Sequence, residues 1–171
     1  SAMMVRSLQN QLTADLGFNY ERSAVMQAGL VQAGIKGDAA RSFWMSVKER
    51  VAANPETQAA ALALSPPFQG RRSGGYPDAP RIRVAMNRVD PEYFSVLDIP
   101  LLAGRTFVPS DDAATTIIIS RTLAQTMYGS TDVIGKGFPR SDPRDTIVGV
   151  AGDTSPVRPG DRSIADIYRP L

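Results

Sequence analysis

The chain contains no cysteine and no histidine. Without cysteine there are no structural disulfides, thiolate nucleophiles or cysteine zinc sites. That absence alone does not assign a redox compartment. Without histidine the usual general base at neutral pH is gone, and with it the Ser-His-Asp arrangement and the commonest metal ligand. Only carboxylates, lysine, tyrosine or water-mediated steps remain, so an enzyme is disfavoured and neither a cofactor nor a metal site is expected. Long apolar runs are also missing, and no stretch approaches the roughly 18 to 20 residues that span a bilayer. Excess charge of one sign is absent too: 19 basic against 17 acidic residues give +2. This is far from the concentrated basic patch of nucleic-acid binders, so no nucleic acid or other polyanion is expected as a partner.

What is present suffices for a packed core, since 171 residues fit one ordinary domain or two small lobes. The opening "SAMMVRSLQNQL" does not run from basic to apolar to cleavage region as a secretory signal would, and its first three residues look like a cloning remnant. The natural protein is therefore expected to extend beyond both ends.

Residues 23–32, "SAVMQAGLVQ", alternate weakly and predict a strand. A helix is expected after Asp38 as N-cap, with Ala40, Phe43, Trp44, Val47 and Val51 on one side and Asn54-Pro55 as its end. Alanine and leucine favour helix in "ETQAAALALSPP", but its position after a helix suits a return strand, which is assigned to residues 57–64. Residues 65–80, "SPPFQGRRSGGYPDAP", read as a long glycine- and proline-rich loop. "RIRVAMNRV" then alternates as a strand with Ile82, Val84 and Met86 on one face.

Asp90 with Pro91 opens a short helix that buries Phe94 and Leu97 and stops at Pro100. The β-branched run "TTIIIS" predicts a strand covered on both faces, running directly into a helix from Ser120 to a Gly129 C-cap. "DTIVGVAGD" and "ADIYRP" complete the set as strands. The order points to an α+β domain with a mixed sheet built from two β-α-β units.

The constellations with chemical potential are weak. In "GSTDVIGKG" five residues separate Gly129 from the Gly-Lys pair where a phosphate-binding P-loop has four. Gly137 stands where the metal-binding hydroxyl belongs, and a helix precedes the loop, so a C-cap and a positive-φ turn are the simpler reading. Asp111, Asp112, Asp142 and Asp145 lack the spacing of a calcium loop and read as turn formers. Lys36, Lys48 and Lys136 fall in loop-like or solvent-facing positions, unsuited to a serine-lysine dyad. Gly104 is expected at a positive φ, and Arg105 in a salt bridge or as a carbonyl cap. The best candidates for contact with a substrate or partner are Phe68, Arg71, Arg72 and Tyr76, since aromatics and arginine on a long loop are the vocabulary of interfaces.

Five ordered blocks carry a family resemblance: "VDPEYFSVLDIPLLAGRTF" (89–107), "TTIIISRTLAQTMYG" (115–129), "DVIGKGF" (132–138), "TIVGVAGD" (146–153) and "DIYRPL" (166–171). Together with the looser "MMVRSLQNQLTADLGFNYE" and "NPETQAAALALSPPF", they resemble the extracytoplasmic core domain of MacB/FtsX-like ABC transporter permeases. The resemblance implies a bacterial inner-membrane protein whose domain here is periplasmic or extracytoplasmic. It implies a porter-like lobe of β-α-β units and a second smaller α/β lobe. Residues 1–22 would follow the first membrane helix and residues 23–171 would form the core domain, with 65–114 supplying much of the second lobe.

The implied partners are the permease's membrane helices, an ATP-binding subunit or domain, a dimer mate and a periplasmic adaptor. The implied role is non-catalytic coupling of cytoplasmic ATP hydrolysis to export or mechanical transmission. A periplasmic solute- or lipid-binding module is the alternative, and an enzyme built on carboxylates is a more distant one.

Overall fold

The computed structural model describes residues 17, 19, 22–30, 32–66, 73–76, 79–138, 145–154 and 164–171. Among the described residues six strands form one sheet: β1 (Ser73–Tyr76), β2 (Ala79–Val89), β3 (Leu101–Gly104), β4 (Thr116–Ser120), β5 (Thr146–Ala151) and β6 (Ile164–Pro170). Among the same residues three helices accompany it: α1 (Gly37–Ala52), α2 (Tyr93–Val96) and α3 (Arg121–Tyr128). The strand order is β1-β2-β6-β4-β5-β3, with β2/β6 and β4/β5 parallel and the other neighbours antiparallel. The fold is α+β with a mixed sheet.

Strand β4 is the centre because its sequence tolerates no wet face. All five of its residues are buried. Ile117 and Ile119 point to one side, where Leu123 and Ala124 of α3 join Ile147, Val150, Ala165 and Ile167. Ile118 points to the other, among Val89, Phe94, Leu97, Phe107 and Tyr168. Each such isoleucine contributes about 1.5 to 3 kcal/mol by leaving water. Helix α3 follows without a loop because Ser120 ends the strand and caps the helix, its Oγ accepting from the Leu123 N–H. Gly129 closes the helix at φ 68°, its N–H donating to the Gln125 carbonyl. This β4-α3-β5 unit is the predicted one.

The second core layer is aromatic. Phe94 meets Tyr168 edge-on at 5.1 Å and 76°, with Tyr93 and Phe107 around them. Helix α2 delivers Tyr93 and Phe94 to that layer, and Leu97 is buried as expected. It ends before Pro100 acts. Asp98 takes φ 51°, its N–H donates to the Ser95 carbonyl, and the Ile99 N–H reaches back to the Phe94 carbonyl. That is the pattern of a Schellman close, with an aspartate where glycine is usual. Asn19 supports the turn by donating from Nδ2 to Asp98 Oδ2 at 3.0 Å.

Several expectations are corrected. The strand foreseen at 23–32 does not form: residues 23–29 are irregular, and Val25 and Met26 are 50% and 66% exposed. Alternation without a neighbouring strand to pair leaves the backbone and the apolar face uncovered. Residues 57–64 supply only a bridge from Ala63 to Val89, because the Leu62 N–H is taken by the Asp90 carboxylate instead of a ladder or a helix. The first of the two expected β-α-β units therefore does not form among the described residues.

Helix α1 is present, but its N-cap position is Lys36, with no side-chain cap; Asp38 sits in the first turn, and no α1 residue is fully buried. The segment 65–80 is not wholly loop, since β1 pairs back onto β2. Met86 is 55% exposed although it shares a face with Val84. Helix α3 lies over β4, β5 and β6 and leaves that flank of β2 uncovered.

Candidate functional site

Several buried polar groups among the described residues can be followed to named partners. At the carboxy-terminal end of β4, Ser120 Oγ accepts from both the Leu123 and the Asp166 N–H groups, the latter at 3.0 Å. With its lone pairs committed and no histidine in the chain, this buried serine is a fastener and not a nucleophile. Beside it Thr154 donates to Asp166 Oδ2 at 3.1 Å, and the Asp153 carboxylate accepts from the Thr122 N–H at the start of α3. Asn87, also buried, imitates a strand neighbour by accepting from the Ser65 N–H at 3.0 Å and donating to its carbonyl at 2.9 Å.

Among the described residues charges are fixed at three places. Asp145, expected as a turn former, is buried in an ion pair with Arg169 (Nη1 to Oδ1, 2.9 Å), and Arg169 also donates to the Ala114 carbonyl. The pair joins the start of β5 to the end of β6. Lys48, expected to face solvent, instead sets its Nζ 2.7 Å from Asp90 Oδ2 and 2.8 Å from Glu92 Oε2. Burial pulls the Lys48 pKa down, but hydrogen bonds and charge from the two carboxylates outweigh it and hold the ammonium above the usual lysine range. Such a lysine stays protonated and cannot serve as a base. The hydrogen bond from Lys48 in turn lowers the Glu92 pKa. Asp90, foreseen as a helix cap, spends its carboxylate on Lys48 and the Leu62 N–H.

Arg105 behaves as its turn position suggested, pairing with both Asp111 oxygens at 2.7 and 2.8 Å. The hydrogen bond from Arg105 lowers the Asp111 pKa, and the same bond raises that of Arg105. Asp112 accepts from the Ala114 N–H at 2.8 Å as a turn former. Asp142 lies outside the described residues. Among the described residues no cluster of three or more histidine, cysteine, aspartate or glutamate side chains could hold a metal.

Of the predicted contact residues, Tyr76 closes β1 at the edge of the sheet, whereas Phe68, Arg71 and Arg72 lie outside the described residues. The flank next to them has a character of its own. Leu64 is 68% exposed beside Met86, and Arg83 and Arg88 are exposed with side-chain hydrogen bonds only to carbonyls, of Ser73 and Pro170 respectively. Sequence reasoning missed Arg169, Asp145 and Asp166 as fasteners. The available signal was a charged residue inside a strand otherwise built for burial, as in "ADIYRP".

A mixed sheet whose central strand β4 is covered on both faces, with buried Ser120, Asp145 and Asp166 held in hydrogen bonds or an ion pair, defines an α+β domain. The chain belongs to the MacB-like periplasmic core domain family, whose model matches residues 1–171. That family is the periplasmic portion of MacB-like ABC transporter permeases. A search of curated proteins found no match.

Solved structures with likeness include a domain of a putative permease protein from Porphyromonas gingivalis, 29% identical over 50% of this chain and 39% of that one, with a TM-score of 0.38. The periplasmic region of MacB from Actinobacillus actinomycetemcomitans is 15% identical over 74% of this chain and 54% of that one, at 0.44. The extracellular domain of the noncanonic ABC-type transporter YknZ from Gram-positive bacteria is 21% identical over 52% and 43%, at 0.37. The chain therefore aligns with about half of each matched structure or less. No helix among the described residues is long and apolar enough to cross a membrane.

Proposed function

We propose that this domain is the extracytoplasmic part of a bacterial inner-membrane ABC transporter permease and that it transmits motion rather than catalysing a reaction. The observation that carries the reading is the family match along the whole chain. In this reading ATP hydrolysed by a separate cytoplasmic subunit or domain shifts the membrane helices, and the domain follows as a rigid body against a dimer mate, a substrate or an adaptor. The fastenings support it. Arg169–Asp145 ties β6 to the start of β5 across β4, and the Ser120–Asp166 junction ties β4, β6 and the start of α3 together, as a part that moves as one body needs. Phe68, Arg71, Arg72 and Tyr76 form the contact with substrate or adaptor.

The test uses the full-length permease with its ATPase in membranes. Charge reversal by Arg71→Glu with Arg72→Glu is expected to abolish export while basal ATP hydrolysis stays at the parental level. Unchanged export would remove the loop from the contact surface. A hydrolase activity of the domain that disappears with one carboxylate substitution would overturn the non-catalytic reading. A saturable rise in melting temperature with a lipid, peptide or macrolide would favour the solute-binding alternative.

A further inference from the structure

The flank of the sheet formed by residues 62–65, β1 and β2 is unlike the rest of the surface. β1 is the outermost strand, and it pairs with β2 alone among the described strands. Its two central residues are Gly74 and Gly75, and a Cβ at either would meet nothing within 4 Å. Glycine inside a strand weakens it, and one reason to keep it there is the close approach of another backbone. Residues 62–65 continue the same edge, bridging Ala63 to Val89 and donating the Leu64 N–H to the Arg88 carbonyl.

That antiparallel register sets Leu64 opposite Arg88, on the same face as Met86 two residues along β2. Leu64 and Met86 are 68% and 55% exposed. Helix α3 does not reach them, because it packs on β4, β5 and β6.

Charge identifies the kind of occupant. Arg83 and Arg88 project to opposite faces of β2, as odd and even positions must. Their side chains donate only to the Ser73 and Pro170 carbonyls, at 2.8 and 3.2 Å, so no carboxylate among the described residues neutralises them. Natural edges are often guarded by lysine or proline on the outermost strand. Here the outermost strand is "SGGY" and the cations stand one strand behind it. Arg83 reaches across to β1 and flanks the edge without blocking it, whereas Arg88 reaches to β6 on the other side of β2.

We propose that this edge accepts an extended polypeptide segment of a partner protein, rich in alternating acidic and apolar residues, which adds to β1 as a further strand. Successive side chains of an added strand face opposite sides of the sheet, so its acidic ones meet Arg83 on one face and its apolar ones cover Leu64 and Met86 on the other. An anionic lipid surface would use the arginines but would have no use for an unpaired strand edge, so the peptide is the better fit. The inference rests on the reading that this flank meets a partner.

The test titrates the purified domain into a fluorescein-labelled decapeptide of alternating glutamate and valine and follows anisotropy. Controls are the lysine-valine counterpart, the glutamate-valine peptide N-methylated at alternate residues, and vesicles of phosphatidylcholine with phosphatidylglycerol at roughly three to one. The acidic peptide is expected to bind, and to lose at least about tenfold in affinity between about 50 and about 300 mM salt. Arg83→Gln, at an exposed position, is expected to cost at least about tenfold as well, whereas Arg88→Gln, on the opposite face and turned toward β6, is expected to leave the affinity unchanged. N-methylation is expected to cost a similar factor by blocking strand pairing.

The proposal is overturned if the acidic peptide does not bind, if the N-methylated peptide binds equally well, if Arg88→Gln costs as much as Arg83→Gln, or if Arg83 acts only on vesicles. Loss of export in the Arg71/Arg72 charge reversal together with no peptide binding would sink this inference and leave the partner-contact reading standing. Binding of the peptide with unchanged export would do the reverse for Arg71 and Arg72.

Discussion

Arg105 and Arg169 are the same residue type placed in two different dielectric surroundings. The Arg105 side chain is 48% exposed, and its pair with Asp111 is worth about 0 to 1 kcal/mol, because water and salt screen it. Asp145 is 1% exposed under Arg169, and removing the cation would strand a buried carboxylate. Arg169→Met should therefore lower unfolding free energy by about 3 to 5 kcal/mol, whereas Arg105→Ala should stay within about 1 kcal/mol. Denaturant unfolding of both variants checks this, and equal losses would mean that burial does not decide the value of these pairs.

Gly104 and Gly135 offer a second contrast. Both have positive φ, 74° and 79°, but a Cβ on Gly104 would lie 2.2 Å from the Val148 carbonyl oxygen whereas one on Gly135 would meet nothing within 4 Å. Gly135→Ala should cost about 1 to 2 kcal/mol from backbone conformation alone. Gly104→Ala should cost distinctly more, on the order of 3 kcal/mol. The special conformation of Gly104 and the pairing of Arg105 were legible in sequence because both are local. The Asp145–Arg169 pair was not, because its partners are 24 residues apart and meet only through sheet pairing.

Among elements, α3 was readable from end to end. Ser120 and Gly129 are local signals, and each does in the fold what its chemistry suggests. Helix α1 was readable as a helix but not in its packing. Its predicted apolar side, Ala40, Trp44, Val47 and Val51, is only half-buried, and Phe43 is 40% exposed. Among the described residues, Lys48 ties α1 to Asp90 and Glu92. Lys48→Met should therefore speed amide exchange across α1 while leaving β4, β5 and β6 at their parental rates, since low local stability tracks few buried contacts. A comparable acceleration in β4 would show that α1 belongs to the central core. The expected strands at 23–32 and 57–64 failed for one reason: alternation and position describe what a segment would bury as a strand, not whether a neighbouring strand is there to receive it.

For the whole molecule, the shifted groups predict how stability depends on pH. Glu92 and Asp111 are held below their ordinary values of 4.5 and 3.8 in the folded state, so their contribution is full above those values and lost as pH falls through the depressed folded ones. Lys48 is held above 10.5, so its contribution is full below that value and lost as pH rises through the raised one. Stability measured by chemical denaturation should thus be flat from about pH 5 to about pH 10 with losses on both sides. Asp111→Asn should shrink the acid limb. A transition centred near pH 6.5 would contradict the account, because no histidine is available to titrate there.

By itself the sequence determined the α+β class, the β4-α3-β5 unit, the burial of Phe94 and Leu97, and the family, because each rests on contiguous patterns of burial and capping. Only the tertiary structure decided which strands are neighbours, that "SGGY" becomes the edge of the sheet, that Lys48 and Asp145 sit in ion pairs, and that Met86 stays in water. Those outcomes depend on what arrives from elsewhere in the chain. A side chain's period says which way it points, but the element that covers that face, or leaves it open, is fixed by sheet order and by where α3 comes to rest.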